Sequence, residues 1–515
     1  MNGAFLVATL AVPAVGGVLA AVLPERAGRL TGTVAAAVAL VCSIALWGHP
    51  AAVAAGADAP SIRPWHEVNV SWISALNVRF HVGVDGVSYP LVVLTALLTV
   101  LCCGYTMWRA TATTDADSGP VGGGRLMIAL LLAVEVGING VFLSFALVLF
   151  FVFFEIVLLP MYAIIAAWGG PNRRDAAQKF VLYTLFGSVL LLVGVLLVVV
   201  KSGTADLVAL TEAGSAHHTP LTHGVQLAAF AFLAIGFAVK APLWPLHTWL
   251  PDAHTEAPTV GSVILAGVLL KMGTYGLLRI AVGVAPEAAR TFAPTLGILA
   301  TTAIIVGGMA CLAQTELKRL IAYSSVGHMG FVVLGIATLT ATGFQAAVIG
   351  NVAHGLITGL LFFLAGSIKD RAHTGELAEL GGLRETAPGL SGLLGFAAIA
   401  SLGLPGLAGF WGEAFAIFGA IGKGGPLWTT LGAVAAVGAA LAAAYFLRLL
   451  RRVTHGAASP AVAALAGGQG ARIAGVELAA WGPLVVLTLV VGLIPALIVG
   501  IAADPIAALA QVVTR

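Results

Sequence analysis

FAVKAPLWPLHTWLPDAHTEAP, residues 237–258, sets Lys240 at the end of an apolar run and follows it with Pro242, Pro245, Pro251 and Pro258, two histidines, Asp252 and Glu256. Pro242 has no amide hydrogen for the carbonyl of residue 238, and its ring crowds that carbonyl; Pro245 does the same to residue 241. A helix that carries this stretch must break just after its lysine. Carbonyls freed at membrane depth are tolerated only where they line protein or water. The break therefore predicts a hydrated pocket beside Lys240.

Membrane depth is the right frame because the 515-residue chain is 59% hydrophobic and 9% charged, against about 25% charged in soluble domains. Its mean hydropathy is +1.02. Windows of about 20 apolar residues, enough to cross about 30 Å of hydrocarbon, mark spans near 2–23, 29–47, 87–107, 126–144, 146–168, 180–200, 225–245, 259–278, 292–313, 320–338, 342–367, 390–421, 428–447 and 480–503. The expectation is an all-α polytopic membrane protein of about fourteen transmembrane helices. Of the 25 Lys and Arg, sixteen fall in odd-numbered loops, seven in even-numbered loops and the C-terminus, and two (Lys240, Lys271) inside spans. Positive residues collect on the cytoplasmic side, so the odd loops are expected there and both termini on the other side.

The net charge of +3 reflects that topology, and no basic stripe points to nucleic acid. The first apolar segment runs through PERAGRL directly into another span, which reads as a retained helix and not a cleaved leader. Cys42, Cys102, Cys103 and Cys311 lie in apolar surroundings without ligand spacing, so neither a disulfide framework, a zinc site nor an iron-sulfur cluster is expected. The longest non-spanning stretches, about 48–86, 201–224 and 453–479, are too short for a soluble domain, and 457–475 reads as a flexible connection.

The twelfth span repeats the interruption of the seventh: SLGLPGLAGFWGEAF (401–415) breaks around Pro405 and carries Glu413. The two breaks are five helices apart, and a unit with an odd number of helices inverts each time it recurs. The expected organisation is an N-terminal part, 1–124, two inverted five-helix repeats, 125–281 and 292–452, and a cytoplasmic connection with a last helix, 453–515. Paired discontinuous helices in inverted repeats mark an ion pathway near the midplane.

Few ionisable groups lie inside the spans: Glu135, Glu155, Lys240, Lys271 and Glu413, with His328 and His354. Each charge at a lone helix centre costs roughly 2.5–3.5 kcal/mol, so these groups are expected to face one another across the bundle. Glu155, in an otherwise apolar stretch, points to Lys240 as its partner, either as a proton-loading pair or as a static lock between helices. Lys271, flanked by glycines, reads as a relaying lysine or as one capped by carbonyls of the broken seventh helix. His328 shares a helix face with Ser324, and His354 with Thr358; an ordinary histidine pKa near 6.5 suits a relay, though each also reads as a satisfied core residue. No metal-ligand spacing surrounds them. His247, Asp252, His254 and Glu256 follow the break, either as a proton inlet or as solvated loop residues.

FFEIVLLPMY (153–162), KAPLWPLHTWLPDAHTEAPT (240–259), LLKMGTYGLLR (269–279), ELKRLIAYSSVGHMGF (316–331), NVAHGLITGLLFFLAGS (351–367) and GLPGLAGFWGE (403–413) together resemble the antiporter-like subunits of complex I, the proton-translocating NADH:quinone oxidoreductase. The resemblance spans about 125–450. Among the L, M and N types, Glu413 matches M, since L and N usually carry lysine there. It implies that Glu155 and Lys240 are the family's Glu/Lys pair, Lys271 its central lysine, His328 and His354 the connecting histidines, Glu413 the end of the charged axis, and Glu135 a second glutamate of the fourth helix. Many members carry an aspartate where this chain has Ala146, which leaves the inlet path open. The resemblance further implies a non-redox subunit of a bacterial inner-membrane assembly beside L-type and N-type neighbours. NADH, FMN, iron-sulfur clusters and quinone would be held by other subunits, none by this chain. The rival readings are a subunit of a multi-subunit cation/proton antiporter and a purely structural membrane spacer.

Overall fold

The computed structural model describes residues 2–48, 62–73, 78–112, 123–211, 221–466 and 471–514. Parts of the three connections expected above (49–61, 212–220 and 467–470) lie outside the described residues.

Among the described residues, thirteen helices are long and apolar enough to cross a membrane. In chain order the spans are Asn2–Val22, Glu25–Ala45, Tyr89–Ala112, Gly123–Leu143, Leu147–Trp168, Arg173–Ser202, His223–Lys240, Thr259–Val282, Pro286–Ala313, Leu317–Ala337, Ala341–Ala372, a broken twelfth, Gly425–Thr454 and Gly475–Leu493. The twelfth consists of Pro388–Ser401 and Ala408–Lys423, with Leu402–Leu407 non-helical between them. The seventh continues, after a turn, into the half-helix Trp249–Glu256. Thirteen membrane-length helices and the split twelfth, among the described residues, account for the fourteen spans read from the sequence.

Boundaries moved where charge sits at a helix end. The sixth span starts at Arg173, seven residues before the apolar window, because Arg173, Arg174 and Asp175 extend the helix beyond the hydrocarbon-length run. It ends at Gly203, whose φ of 76° supplies the left-handed cap that favours glycine. The last span stops at Leu493, short of the expected 503, and a separate helix Ala503–Thr514 follows; Pro495 prevents continuation.

One addition is not helical. His66–Ile73 (β1) pairs antiparallel with Val78–Val84 (β2), inside the stretch read as a plain connection. Its inner strand buries Val82 and Val84, and the His81 ring sits between Asp206 (2.5 Å) and Glu67 (3.2 Å), tying the hairpin to the connection after the sixth span.

The core lies at the eighth, tenth and eleventh spans. The apolar window of the eighth is 100% buried, against 33% for the thirteenth. Glycine permits this crowding. A Cβ on Gly355 of the eleventh span would stand 2.6 Å from the Gly267 carbonyl of the eighth, and one on Gly412 of the twelfth 2.7 Å from the Gly350 Cα of the eleventh. Within the eighth span the backbone widens into π-helical turns over Leu265–Leu269 and Leu277–Val282. Such bulges leave carbonyls less committed to the helix and often mark functional sites.

Candidate functional site

The first π-helical segment frames Lys271. Its ammonium, wholly buried, donates to the carbonyl of Ala266 (2.5 Å), five residues back on the same span, and to His354 Nδ1 on the eleventh (2.6 Å). The carbonyl cap thus comes from its own helix and not from the broken seventh. Gly273 does let the seventh helix end come close: a Cβ there would meet the Ala241 amide and the Phe237 carbonyl, each at 2.6 Å. When Lys271 is charged its ammonium can only donate, so in that state His354 accepts at Nδ1.

From His354 the row continues. Its ring centroid lies 5.6 Å from that of His328, whose Nδ1 is 3.1 Å from Glu413 Oε1 and whose Nε2 is 3.1 Å from the Ser401 hydroxyl. Ser401 and Glu413 flank the break in the twelfth span, so the interruption places a carboxylate and a hydroxyl on opposite nitrogens of one imidazole. Ser324 is not a partner of His328 here; its hydroxyl donates to the Ile321 carbonyl (2.7 Å). A cavity of about 30 Å³ lined by His328, His354, Thr358, Ser401 and Glu413 opens on the row, and about 10–15 Å³ accommodates one water. Two waters fit. Lys271, His354, His328 and Glu413 therefore form one nearly continuous file with room for solvent where the side chains do not touch.

The other half departs from expectation. Lys240 is buried, yet among the described residues no carboxylate reaches ion-pair distance of it; its ammonium rests 4.9 Å from the Phe154 ring centroid. Glu155 is near enough for its charge to act on Lys240, but one carboxylate oxygen is buried without a hydrogen bond. They are electrostatic neighbours and, among the described residues, not a closed ion pair.

The backbone break is partly capped by protein groups. The Leu243 amide takes the Ala238 carbonyl that Pro242 cannot bond (2.9 Å), and Trp249 Nε1 donates to the Val239 carbonyl (3.0 Å). The Ala238 carbonyl freed by Pro242 is thus satisfied within the protein, and a cavity lies by Glu413. Glu135 stands apart from the file: it is wholly buried, and neither carboxylate oxygen has a hydrogen-bond partner.

The residues after the break divide. His247 and His254 are buried, 8% and 0% exposed, which removes the solvated-loop reading for both. His247 Nδ1 and both His254 ring nitrogens are unbonded. Asp252 is partly exposed and pairs with Lys179 (2.6 Å) and Arg319 (3.2 Å); Glu256 accepts from the Asn172 amide (2.9 Å). Sequence reasoning missed Lys318, buried at the start of the tenth span, because it sits between Glu316 and Arg319 in what looks like a solvated helix start.

The family model of the NADH:quinone oxidoreductase/Mrp antiporter transmembrane region matches residues 144–438. The chain is similar to the NADH-quinone oxidoreductase subunit M of Rhodobacter capsulatus, at 38% identity over 86% of this chain and 83% of that one. To an NAD(P)H-quinone oxidoreductase chain 4 of a Synechococcus strain it is 41% identical, over 76% and 72%. Among solved structures, a chain of respiratory complex I from Thermus thermophilus superposes with TM-score 0.83 at 30% identity over 99% of both chains. A chain of the Mrp complex from a Dietzia strain superposes with TM-score 0.80 at 24% identity, covering 99% of this chain and 52% of that one; that likeness is one of fold alone.

Proposed function

Since the chain belongs to the NADH:quinone oxidoreductase/Mrp antiporter transmembrane family, we propose that it is the M-type proton-translocating membrane subunit of a bacterial NADH:quinone oxidoreductase. The observation that carries this is the file Lys271, His354, His328, Glu413 with its cavity.

The chemistry is proton transfer, without redox steps in this chain. NADH, FMN, iron-sulfur clusters and quinone belong to other subunits in this reading. When Lys271 is charged, its ammonium nitrogen lies 2.6 Å from the acceptor nitrogen of His354; transfer breaks one N–H bond and forms another. The doubly protonated imidazole then releases its Nε2 proton into the cavity, where water carries it toward His328 and Glu413. A carboxylate at the end of the file stabilises the arriving positive charge. Glu155 and Lys240 form the controlling pair: moving the carboxylate toward the ammonium raises the lysine's hold on its proton, and moving it away lowers that hold. Glu135, His247, Asp252 and His254 support the inlet, and Ala146 leaves no role for an aspartate there.

In the same reading, 125–281 and 292–452 are inverted repeats, the Lys/Arg-rich loops and the 453–515 connection's start face the cytoplasm, and both termini face the other side. L-type and N-type subunits flank the chain in the lipid bilayer of the inner membrane. An antiporter subunit would share the fold, but Glu413 and relatives matched over most of both chains favour the oxidoreductase.

The test is NADH-driven quinone reduction and proton uptake by the purified, reconstituted complex carrying Lys240→Ala, Lys271→Ala or Glu155→Gln. Loss of both activities in an assembled complex is expected. Normal uptake with Lys240→Ala and Lys271→Ala would favour a structural spacer.

A further inference from the structure

ELKR, residues 316–319, starts the tenth span with three charged residues out of four, and such a start ordinarily faces solvent. Only Arg319 does so, with 41% of its side chain exposed beside Asp252. Lys318 is 5% exposed and turns inward, where its ammonium donates to the carbonyl of Ala257 (2.9 Å), the residue that closes the half-helix Trp249–Glu256. Among the described residues no carboxylate reaches ion-pair distance of it. One carbonyl at a helix C-terminus, with its partial negative charge, occupies one of three ammonium donors.

Ala257 lies three residues beyond His254. That imidazole is wholly buried and stacked on Phe362 of the eleventh span, centroids 4.4 Å apart and planes within 9°. The stack fixes the ring plane, and a Ser262 hydroxyl on the His254 carbonyl (3.1 Å) fixes its backbone. Both ring nitrogens are idle, which is unusual for a buried polar side chain. The charges of Lys318 and Lys271 both act on the ring. A held imidazole with two unused nitrogens thus lies within electrostatic range of both the rim lysine, bonded three residues further along the same half-helix end, and the lysine that heads the file. On the outer side, Lys318 is faced by Glu316, Lys369, Asp370 and Arg109; Lys369 pairs with Glu316 at 3.6 Å and Arg109 with Asp370 at 2.6 Å, and all but Glu316 are more than a third exposed. That cluster brings water to the rim.

We propose that Lys318 is the relay residue that supplies the file from the cytoplasmic side. Its proton passes to an unprotonated ring nitrogen of His254, and the proton on the opposite nitrogen passes to the neutral amine of Lys271. In each step one N–H bond breaks as another forms, and Lys318 regains its proton from cytoplasmic water. The inference rests on reading Lys271 to Glu413 as the translocation path. The bland alternative is a lysine that only fastens the half-helix to the tenth span.

Arginine separates the two. Lys318→Arg keeps the charge and a donor for the Ala257 carbonyl but does not release a proton, whereas Lys318→Met removes all three. In the reconstituted complex, a relay predicts that NADH-driven proton uptake falls about tenfold or more in both variants. His254→Phe, which preserves the stack on Phe362, should fall equally, and the Lys318→Arg/His254→Phe double variant no further. Wild-type uptake with Lys318→Arg would overturn the proposal, as would wild-type uptake with His254→Phe. Lys271→Ala, measured in parallel, distinguishes the two levels: if it pumps normally the file itself is refuted. If it does not pump while Lys318→Arg does, only the supply role falls.

Discussion

Replacing His354 by leucine tests the file at its most dependent link. The 2.6 Å contact from Lys271 and the 5.6 Å ring separation to His328 together set a reach of roughly 8 Å, which about two waters would bridge at about 2.8 Å per hydrogen bond. Leucine fills most of the imidazole space with atoms that carry no proton, whereas His354→Ala opens that space next to a cavity that already admits water. The expected order of proton uptake is wild type, then alanine, then leucine, with the leucine variant down by about 10²-fold or more, the usual range for removing a positioned proton carrier. Leucine also strips Lys271 of its side-chain partner, and an unpaired buried donor costs about 1–3 kcal/mol. A modest fall in thermal stability should therefore accompany the loss. The assay is quenching of a pH-sensitive dye in proteoliposomes holding the complex, driven by NADH, with quinone reduction followed in parallel. A leucine variant that moves as many protons per NADH as wild type would refute the reasoning.

Three further outcomes follow. Glu413→Gln keeps a hydrogen-bond acceptor for His328 but removes the charge at the end of the file, so assembly should be normal and proton uptake should fall about tenfold or more; unchanged uptake counts against a charged terminus. Arg371→Ala leaves Glu477, 2% exposed and held at 2.6 Å and 2.9 Å, as an uncompensated buried charge, which should cost about 3–5 kcal/mol and show as loss of the chain from detergent-purified complex, while Arg371→Lys recovers part of it. At Asp206, burial would raise the carboxyl pKa, but the bonds from His81 and from the Ala209 amide outweigh it and hold the group below the usual carboxylate range. A depressed folded-state value means the anchor stabilises above about pH 4 and weakens as pH falls through that lower value. Hydrogen exchange of β2 should quicken below pH 4 and not between pH 5 and 7.

The legible part of this molecule is the part where one residue contradicts its surroundings. Lys240, Lys271, Glu135, Glu155 and Glu413 declare themselves because nothing else in their spans is charged, and the two helix breaks declare themselves through proline. Partnership is another matter. That His328 bonds Ser401 and Glu413, 73 and 85 positions away, depends on how the twelfth helix folds back, and helical spacing offered Ser324 instead. The contact of Lys240 with the Phe154 ring was invisible for the same reason. The hairpin did leave a trace: HEVNVSWI (66–73) alternates with period two, which a search for twenty-residue apolar windows passes over. Lys318 left none, since hydropathy at a span's edge is the same whether a lysine snorkels outward or turns in. Nor did the π-helical turns of the eighth span, which no residue type announces.

The glycine contacts on the eleventh span limit how any transport cycle here can operate. Gly355 meets the Gly267 carbonyl and Gly350 meets Gly412 on two sides of one helix, so backbone lies against backbone with no side chain between to yield. Sliding or rolling that helix by even half a turn would drive Cβ atoms of neighbouring residues into main-chain atoms of the adjoining helices. His354 is thereby mounted on a fixed beam, and around it proton movement falls to rotatable side-chain bonds and exchanging solvent rather than to shifts of the eleventh helix.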